Sequence, residues 1–280
     1  MACVSEEGEC GDCQARSACV YHYVFETPPP VCTEVMRKYP YVPHPFVIEP
    51  PQGEELKYTD RDTLELGLKL IGKASEYLPY FVCAFDELGR IGIGKGRGKY
   101  QLKAVWADTD LGRRVLVYDG QTKKLWDECP RLSVDEQVPV ETTGSLTVSF
   151  GTPTRIKFQE GLVLDLEFHM LVRSLLRRVS MLSYFHCGGR LDADYAGLIE
   201  LAKGVRTRER DLAWYDWKRY SARQDRKMSL GGFVGRVTFE GDLAAFVPLL
   251  RIGEHLHVGK GTSFGLGKYR IVKEDRTQRA

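Results

Sequence analysis

Two glycine-rich segments of this chain are copies of one another, and a copied segment of this kind calls for a duplicated architecture. The first runs Gly92-Ile93-Gly94-Lys95-Gly96-Arg97-Gly98-Lys99-Tyr100-Gln101-Leu102. The second runs Val258-Gly259-Lys260-Gly261-Thr262-Ser263-Phe264-Gly265-Leu266-Gly267-Lys268-Tyr269-Arg270-Ile271. Each carries Gly-Lys-Gly near its start and Lys-Tyr at its exit, and each stands between an apolar helix-like stretch and a short strand-like run. The first does not place Gly-Lys-Ser/Thr ahead of a helix, since Gly94-Lys95-Gly96 leads into a strand, and helix-loop-strand is the reverse of the order in a nucleotide-binding phosphate loop.

The duplication extends upstream. Residues 64–71 alternate like a strand, and residues 74–88 place Leu78, Phe81, Val82 and Phe85 at helical spacing. In the second copy residues 232–239 alternate like a strand. Asp242 then caps a helix carrying Leu243, Phe246, Val247, Leu249 and Leu250. The second half opens with a strand at 146–150 and an amphipathic helix at 168–186, whose apolar face holds Leu171, Leu175, Val179 and Leu182. An aromatic strand at 211–220 follows. Strand-helix-strand-strand-helix-strand is the ferredoxin-like order, shared with RRM domains. In the first half, strands are expected at 18–26 and 46–49, with a short helix at 31–39 between them. The expected organisation is a cysteine-rich segment at 1–19, a ferredoxin-like domain at 20–140 and a second at 145–280, joined near 138–145. The class is α+β with antiparallel sheets.

A chain of 280 residues, 43% of them hydrophobic, can bury two modest cores. It holds no run of eighteen apolar residues, so no membrane span is expected. The start, Met1-Ala2-Cys3-Val4-Ser5-Glu6-Glu7, is acidic and lacks the apolar core of a signal peptide. The expectation is a cytoplasmic protein.

The net charge of +2 hides an asymmetry: residues 151–280 hold 23 Lys+Arg against 15 Asp+Glu, and the rest of the chain 17 against 23. Residues 203–227 hold nine basic and four acidic side chains, with Trp214, Tyr215, Trp217 and Tyr220 among them. Basic residues interleaved with aromatics suit a polyanion whose bases stack. The same pattern also suits a solvated strand with one buried face.

The second loop, Gly259-Lys260-Gly261-Thr262-Ser263-Phe264-Gly265-Leu266-Gly267, resembles the glycine-rich loop of the RAMP superfamily of CRISPR-associated proteins. The nearest likeness is to the endoribonuclease that cuts precursor CRISPR RNA within its repeats. Arg219-Tyr220-Ser221-Ala222-Arg223-Gln224, Met228-Ser229-Leu230-Gly231-Gly232-Phe233-Val234-Gly235, Pro45-Phe46-Val47-Ile48-Glu49-Pro50-Pro51 and Tyr23-Val24-Phe25-Glu26-Thr27-Pro28-Pro29-Pro30 also resemble that group. The resemblance runs from about residue 18 onward. It implies tandem ferredoxin-like domains that bind CRISPR repeat RNA, with no membrane and no DNA partner. It implies metal-independent cleavage by the RNA's own 2′-OH, leaving a 2′,3′-cyclic phosphate and a 5′-OH, with no cofactor for the chemistry. A general base takes the 2′-OH proton, a cation steadies the phosphorane, and a loop without side chains admits the phosphate chain closely.

The resemblance places the catalytic His early in the first domain, near its first helix. His22 and His44 both lie there. His44, between Pro43 and Pro45 and after the expected helix, is the favoured base; His22 sits in an expected strand, and His257, beside the second loop, is the alternative. Tyr39 (or Tyr41) is the assisting group and Lys260 the cation. The RNA-binding set is Arg173, Arg177, Lys218, Arg219, Tyr220 and Arg223, with Gly259, Gly261, Gly265 and Gly267 of the loop. His169, Arg173 and Arg177 share one helix stripe at i, i+4 and i+8, which fits an RNA-facing side or a solvated one.

Cys3, Cys10, Cys13 and Cys19 enclose a Cys-x2-Cys pair. In a chain expected in the cytoplasm this favours metal over disulfide. Four thiolates suit tetrahedral zinc, the first expectation, or an iron–sulfur cluster. Reduced thiols in a tail are the third possibility. Three functions stand open: a sequence-specific endoribonuclease, a non-catalytic RAMP subunit binding guide RNA among other CRISPR effector subunits, and a general RNA-binding protein. Neither half carries the aromatic pattern of an RRM's central strands, which counts against the last.

Overall fold

A computed structural model of the chain describes residues 10, 13–29, 41–51, 58–94, 96–109, 112–132, 144–221 and 226–272, with backbone alone at 218–221 and 226–229. In chain order the named elements are β1 (Phe46–Glu49), β2 (Gly67–Leu70), α1 (Leu78–Ile91), β3 (Ala104–Asp108), β4 (Arg114–Asp119), β5 (Lys124–Leu125), β6 (Ser145–Thr154), β7 (Lys157–Phe158) and β8 (Gly161–Leu162). There follow α2 (Phe168–His186), α3 (Tyr195–Lys203), β9 (Arg206–Tyr215), β10 (Lys218–Ser221), β11 (Arg226–Ser229), β12 (Gly232–Glu240), α4 (Val247–Leu256) and β13 (Tyr269–Val272). They form two compact units that do not follow chain order. One comprises Met1–Tyr41, Gly53–Leu64 and Lys73–Asp135; the other comprises Val42–Gln52, Glu65–Gly72 and Glu136–Ala280. The β1–β2 hairpin from the first half of the sequence therefore belongs to the second unit.

The second unit has the ferredoxin-like order. Its four-stranded sheet runs β13–β6–β12–β9, antiparallel throughout. Helix α2 connects β6 to β9 and α4 connects β12 to β13. Leu146, Val148 and Phe150 alternate inward on β6, and Phe233, Val237 and Phe239 do so on β12. Leu171, Leu175, Val179 and Leu182 of α2 are all buried against this layer, as the 3.6-residue stripe requires. Phe168 meets Phe239 and Phe246 edge-on, with both ring centroids 5.0 Å away. Three pieces are added to the basic order: the β7–β8 hairpin, the helix α3 capped by Asp194, and the β10–β11 hairpin.

The first unit pairs β3, β4 and β5 in an antiparallel sheet and carries α1. Of residues 18–26, expected as a strand, 20–26 are helical instead, ending in a π-helical turn His22–Glu26. The contacts explain this. Tyr21 and Phe25, four apart, stack with centroids 5.3 Å apart; Phe25 also meets Phe81 and Tyr23 meets Tyr77. Val24 is fully buried. Aromatics spaced for alternation also satisfy i, i+4, and burial on one side selects the helix. The helix expected at 74–88 begins as a 3₁₀ turn, Gly72–Tyr77, and becomes α-helical from Leu78, where Pro79 fits the first turn. The single strand expected at 211–220 is two: β9 starts earlier and ends at Tyr215, and β10 starts at Lys218. The helix expected at 31–39 lies outside the described residues. Among the described residues no helix is long and apolar enough to cross a membrane.

Candidate functional site

The second glycine loop is packed from within. Its entry and exit zip together through Val258 N–H to Gly267 O at 2.9 Å, and it is tied to the end of β6. Lys260 N–H donates to Arg155 O and Gly267 N–H to Pro153 O, while the Thr152 hydroxyl donates to Gly265 O. Gly265 has φ +82°, and a Cβ there would stand 2.5 Å from Pro50 Cδ and 2.8 Å from Ile48 O. Gly267 has φ +72°, and a Cβ there would overlap the carbonyl oxygen of Val258. Gly265 and Gly267 are buried and Gly259 and Gly261 half-buried; Lys260 and Phe264 are exposed.

One carboxylate clasps this loop to the β1–β2 hairpin. Glu49, at the end of β1, accepts hydrogen bonds from His257 Nε2 at 2.9 Å and Lys268 Nζ at 2.6 Å, one on each side of the loop. Lys69 Nζ on β2 lies 3.0 Å from the same carboxylate. Lys69 faces Val47 and Gly67 faces Glu49 in the ladder, so Lys69 reaches Glu49 across the diagonal of one face. Burial raises the Glu49 carboxyl, but the bonds from His257, Lys268 and Lys69 outweigh it and hold the group well below the usual carboxylate range. For His257, burial pushes the imidazole down against the pull of Glu49. The neutral ring donates from Nε2 to Glu49, and Nδ1 lies 3.1 Å from Leu266 O, a contact that becomes a hydrogen bond on protonation. His257 has no exposed surface. A base must reach the proton it takes, and a ring with no exposed surface does not.

His44 sits in the same unit. Val42, Pro45, Phe46 and Val47 around it are buried, and its own ring is half-buried, stacked on Phe46 with centroids 5.6 Å apart at 24°. Both flanking prolines are pinned through their carbonyls. His186 Nε2 lies 2.8 Å from Pro43 O, and Ile71 N–H donates to Pro45 O at 2.9 Å. His186, the last residue of α2, is buried; burial first, then the charges of His44 and Arg178, press its imidazole towards the neutral form, against the Pro43 bond. Arg178 is also buried. Its Nε donates to Leu256 O at the end of α4 at 2.7 Å, its Nη2 is enclosed without a hydrogen-bond partner among the described residues, and burial lowers it to about 10.

Sequence reading singled out neither Glu49, Arg178 nor His186 for a role. A signal for two of them was present. Arg178 and His186 fall on the apolar stripe of α2, three and eleven residues after Leu175, and a polar group on a core stripe carries an unusual environment with it. Glu49 had no such mark, since its partners lie in other elements.

Of the other expected residues, Arg173 and Arg177 are exposed on α2, and the Arg173 guanidinium lies 5.9 Å from the Phe158 ring. His169 meets the same ring edge-on and bonds Glu167 at 2.8 Å. Lys218, Arg219 and Tyr220 lie on β10, which extends from the exposed edge strand β9. Arg223 and Tyr39 lie outside the described residues, as does Cys3; Cys10, Cys13 and Cys19 are half-buried in the turns before the first helical segment. The first glycine loop closes as a tight hairpin in the other unit, with Ile93 and Gly98 bonded both ways.

Residues 148–269 match the family model of the CRISPR-associated endoribonuclease Cas6, and residues 1–129 match a model described as an N-terminal domain. An uncharacterized protein of Archaeoglobus fulgidus is 25% identical over 267 residues, 94% of this chain and 83% of its own length. Among solved structures, the product complex of a Thermus thermophilus Cas6 is 20% identical, covers 82% of each chain and superposes with a TM-score of 0.55. That likeness is one of fold, tandem ferredoxin-like domains with antiparallel sheets.

Proposed function

We propose that the chain, whose residues 148–269 match the family model of the CRISPR-associated endoribonuclease Cas6, binds CRISPR repeat RNA and cleaves it by attack of the RNA's own 2′-OH. The observation that carries this is the family match over residues 148–269, which hold the glycine-rich loop; His44 lies in the same compact unit. A neighbour of the same fold is a product complex, which supports RNA as the ligand. Other CRISPR effector subunits are proposed partners.

In the proposed reaction His44 takes the 2′-OH proton. The 2′-oxygen bonds to the adjacent phosphorus, the P–O5′ bond breaks, and O5′ leaves, taking its proton from water. The products are a 2′,3′-cyclic phosphate and a 5′-OH. Lys260, exposed on the loop, supplies positive charge to the phosphorane; Tyr39 is the assisting group. Arg173, Arg177, Lys218, Arg219, Tyr220 and Arg223 hold the RNA. The half-buried His44 ring, packed on Phe46 between two pinned prolines, suits a base that must keep its orientation.

The test is cleavage of a repeat RNA in excess EDTA and of the same RNA with one 2′-deoxy nucleotide at the cut. Cutting that survives EDTA and vanishes with the deoxy substitution is expected. Metal-dependent cutting that tolerates the deoxy nucleotide overturns the mechanism. Separately, a structural zinc held by Cys3, Cys10, Cys13 and Cys19 is proposed on their spacing alone, with an iron–sulfur cluster as its rival; among the described residues no three metal-binding side chains come together.

A further inference from the structure

We propose that His186 is a positioning residue for His44, fixing the Pro43-His44-Pro45 segment to the end of helix α2 through Nε2–H to the Pro43 carbonyl. This rests on His44 being the base, as proposed above. Three observations carry it. First, the bond is short, 2.8 Å, and Pro43 O can only accept, so Nε2 holds the proton. Second, the segment is held from its other side by Ile71 N–H to Pro45 O at 2.9 Å, so His44 stands between two anchored carbonyls, one in the hairpin and one on α2. Third, the helix end itself is closely fitted: Gly72, just after β2, has φ +58°, and a Cβ there would overlap the His186 carbonyl oxygen. The hairpin thus meets α2 at both the backbone and the side chain of His186.

A buried imidazole N–H needs an acceptor wherever it stands, so the choice of acceptor is what matters. Here an imidazole on the core stripe of a helix spends its N–H on the residue next to the base. Burial, with the charges of His44 and Arg178 near it, favours the neutral ring, so the anchor adds no positive charge behind His44. Loss of the bond frees the backbone at Pro43 and with it the direction of the His44 ring. A displacement near 1 Å costs about 10²-fold in rate.

The experiment compares His44→Ala, His186→Phe, His186→Asn and His186→Gln by single-turnover cleavage of repeat RNA, RNA affinity and melting temperature. His44→Ala is expected to cut about 10²-fold more slowly or worse, with binding kept. His186→Phe fills the space without a donor, and His186→Asn has a donor too short to reach Pro43. Both are expected to lower the cleavage rate about 10- to 100-fold while RNA affinity stays within about two-fold. His186→Gln, whose amide nitrogen stands near the Nε2 position, is expected to recover most of the rate. If His44→Ala is inactive while His186→Phe or His186→Asn cuts normally, the positioning role is wrong and the base stands. If His186→Phe does not fold, the Asn and Gln pair decides, and equal rates for those two refute the role. If His44→Ala cuts at the normal rate, the base assignment itself falls.

Discussion

Replacing Glu49 by Gln removes one negative charge from among three cationic or donating partners, and the structure sets the size of the effect. Glu49 side-chain exposure is 13%, against 0% for His257, 16% for Lys268 and 29% for Lys69. Removing one member of a fully buried pair costs about 3–5 kcal/mol, because the partner charge stays behind. The cluster is not fully dry, and Gln keeps one acceptor oxygen, so about 2–4 kcal/mol is the fitting range. For a domain of this size that is a fall in Tm of roughly 5–15 °C. Glu200→Gln is the control: its partner Lys203 lies 2.6 Å away, but both side chains are about half exposed or more, and such a pair is worth about 0–1 kcal/mol.

The pH dependence has a definite sign. The folded-state pKa of Glu49 is depressed, so its stabilisation is complete above the unfolded value, about 4.3 for Glu. It is lost as pH falls from there through the folded value. The Tm gap between the native chain and Glu49→Gln is therefore present at pH 7 and closes in acid, below about pH 4. Differential scanning calorimetry over this range is the assay. A Glu49→Gln protein that melts within 2 °C of the native chain at pH 7, or a gap that widens as pH falls below 4, refutes the view of Glu49 as the clasp of the glycine loop.

Two further outcomes are expected. Arg219→Ala and Arg223→Ala should each weaken RNA binding and reduce the slope of log K against log salt by about one, measured by fluorescence anisotropy from 50 to 200 mM salt; unchanged slopes remove these residues from the phosphate-binding set. Protein prepared without oxygen should carry zinc by elemental analysis, lost on replacing Cys10 and Cys13 together; iron with sulfide points to the cluster, and metal-free protein rejects both.

The sequence by itself determined the repeating pieces. A 3.6-residue stripe on α2 and two-residue alternation on β6 and β12 each name a buried face, and a face can be buried without knowledge of its partner. The glycine loop was legible for the same local reason, since positive φ at Gly265 and Gly267 needs glycine wherever the loop is placed. Tertiary structure decided the rest. The helical turn at 22–26 won over the expected strand because Tyr21 and Phe25 found a common side and Val24 a core. The strand β9 extends back to Arg206 because its hydrogen bonds to β12, not an apolar alternation, define it. Glu49 meets His257 across 208 positions, and His186 meets Pro43 across 143. No local pattern encodes such pairs: a charge or an imidazole acquires its proton affinity and its duty from neighbours that only the folded chain brings within hydrogen-bond distance.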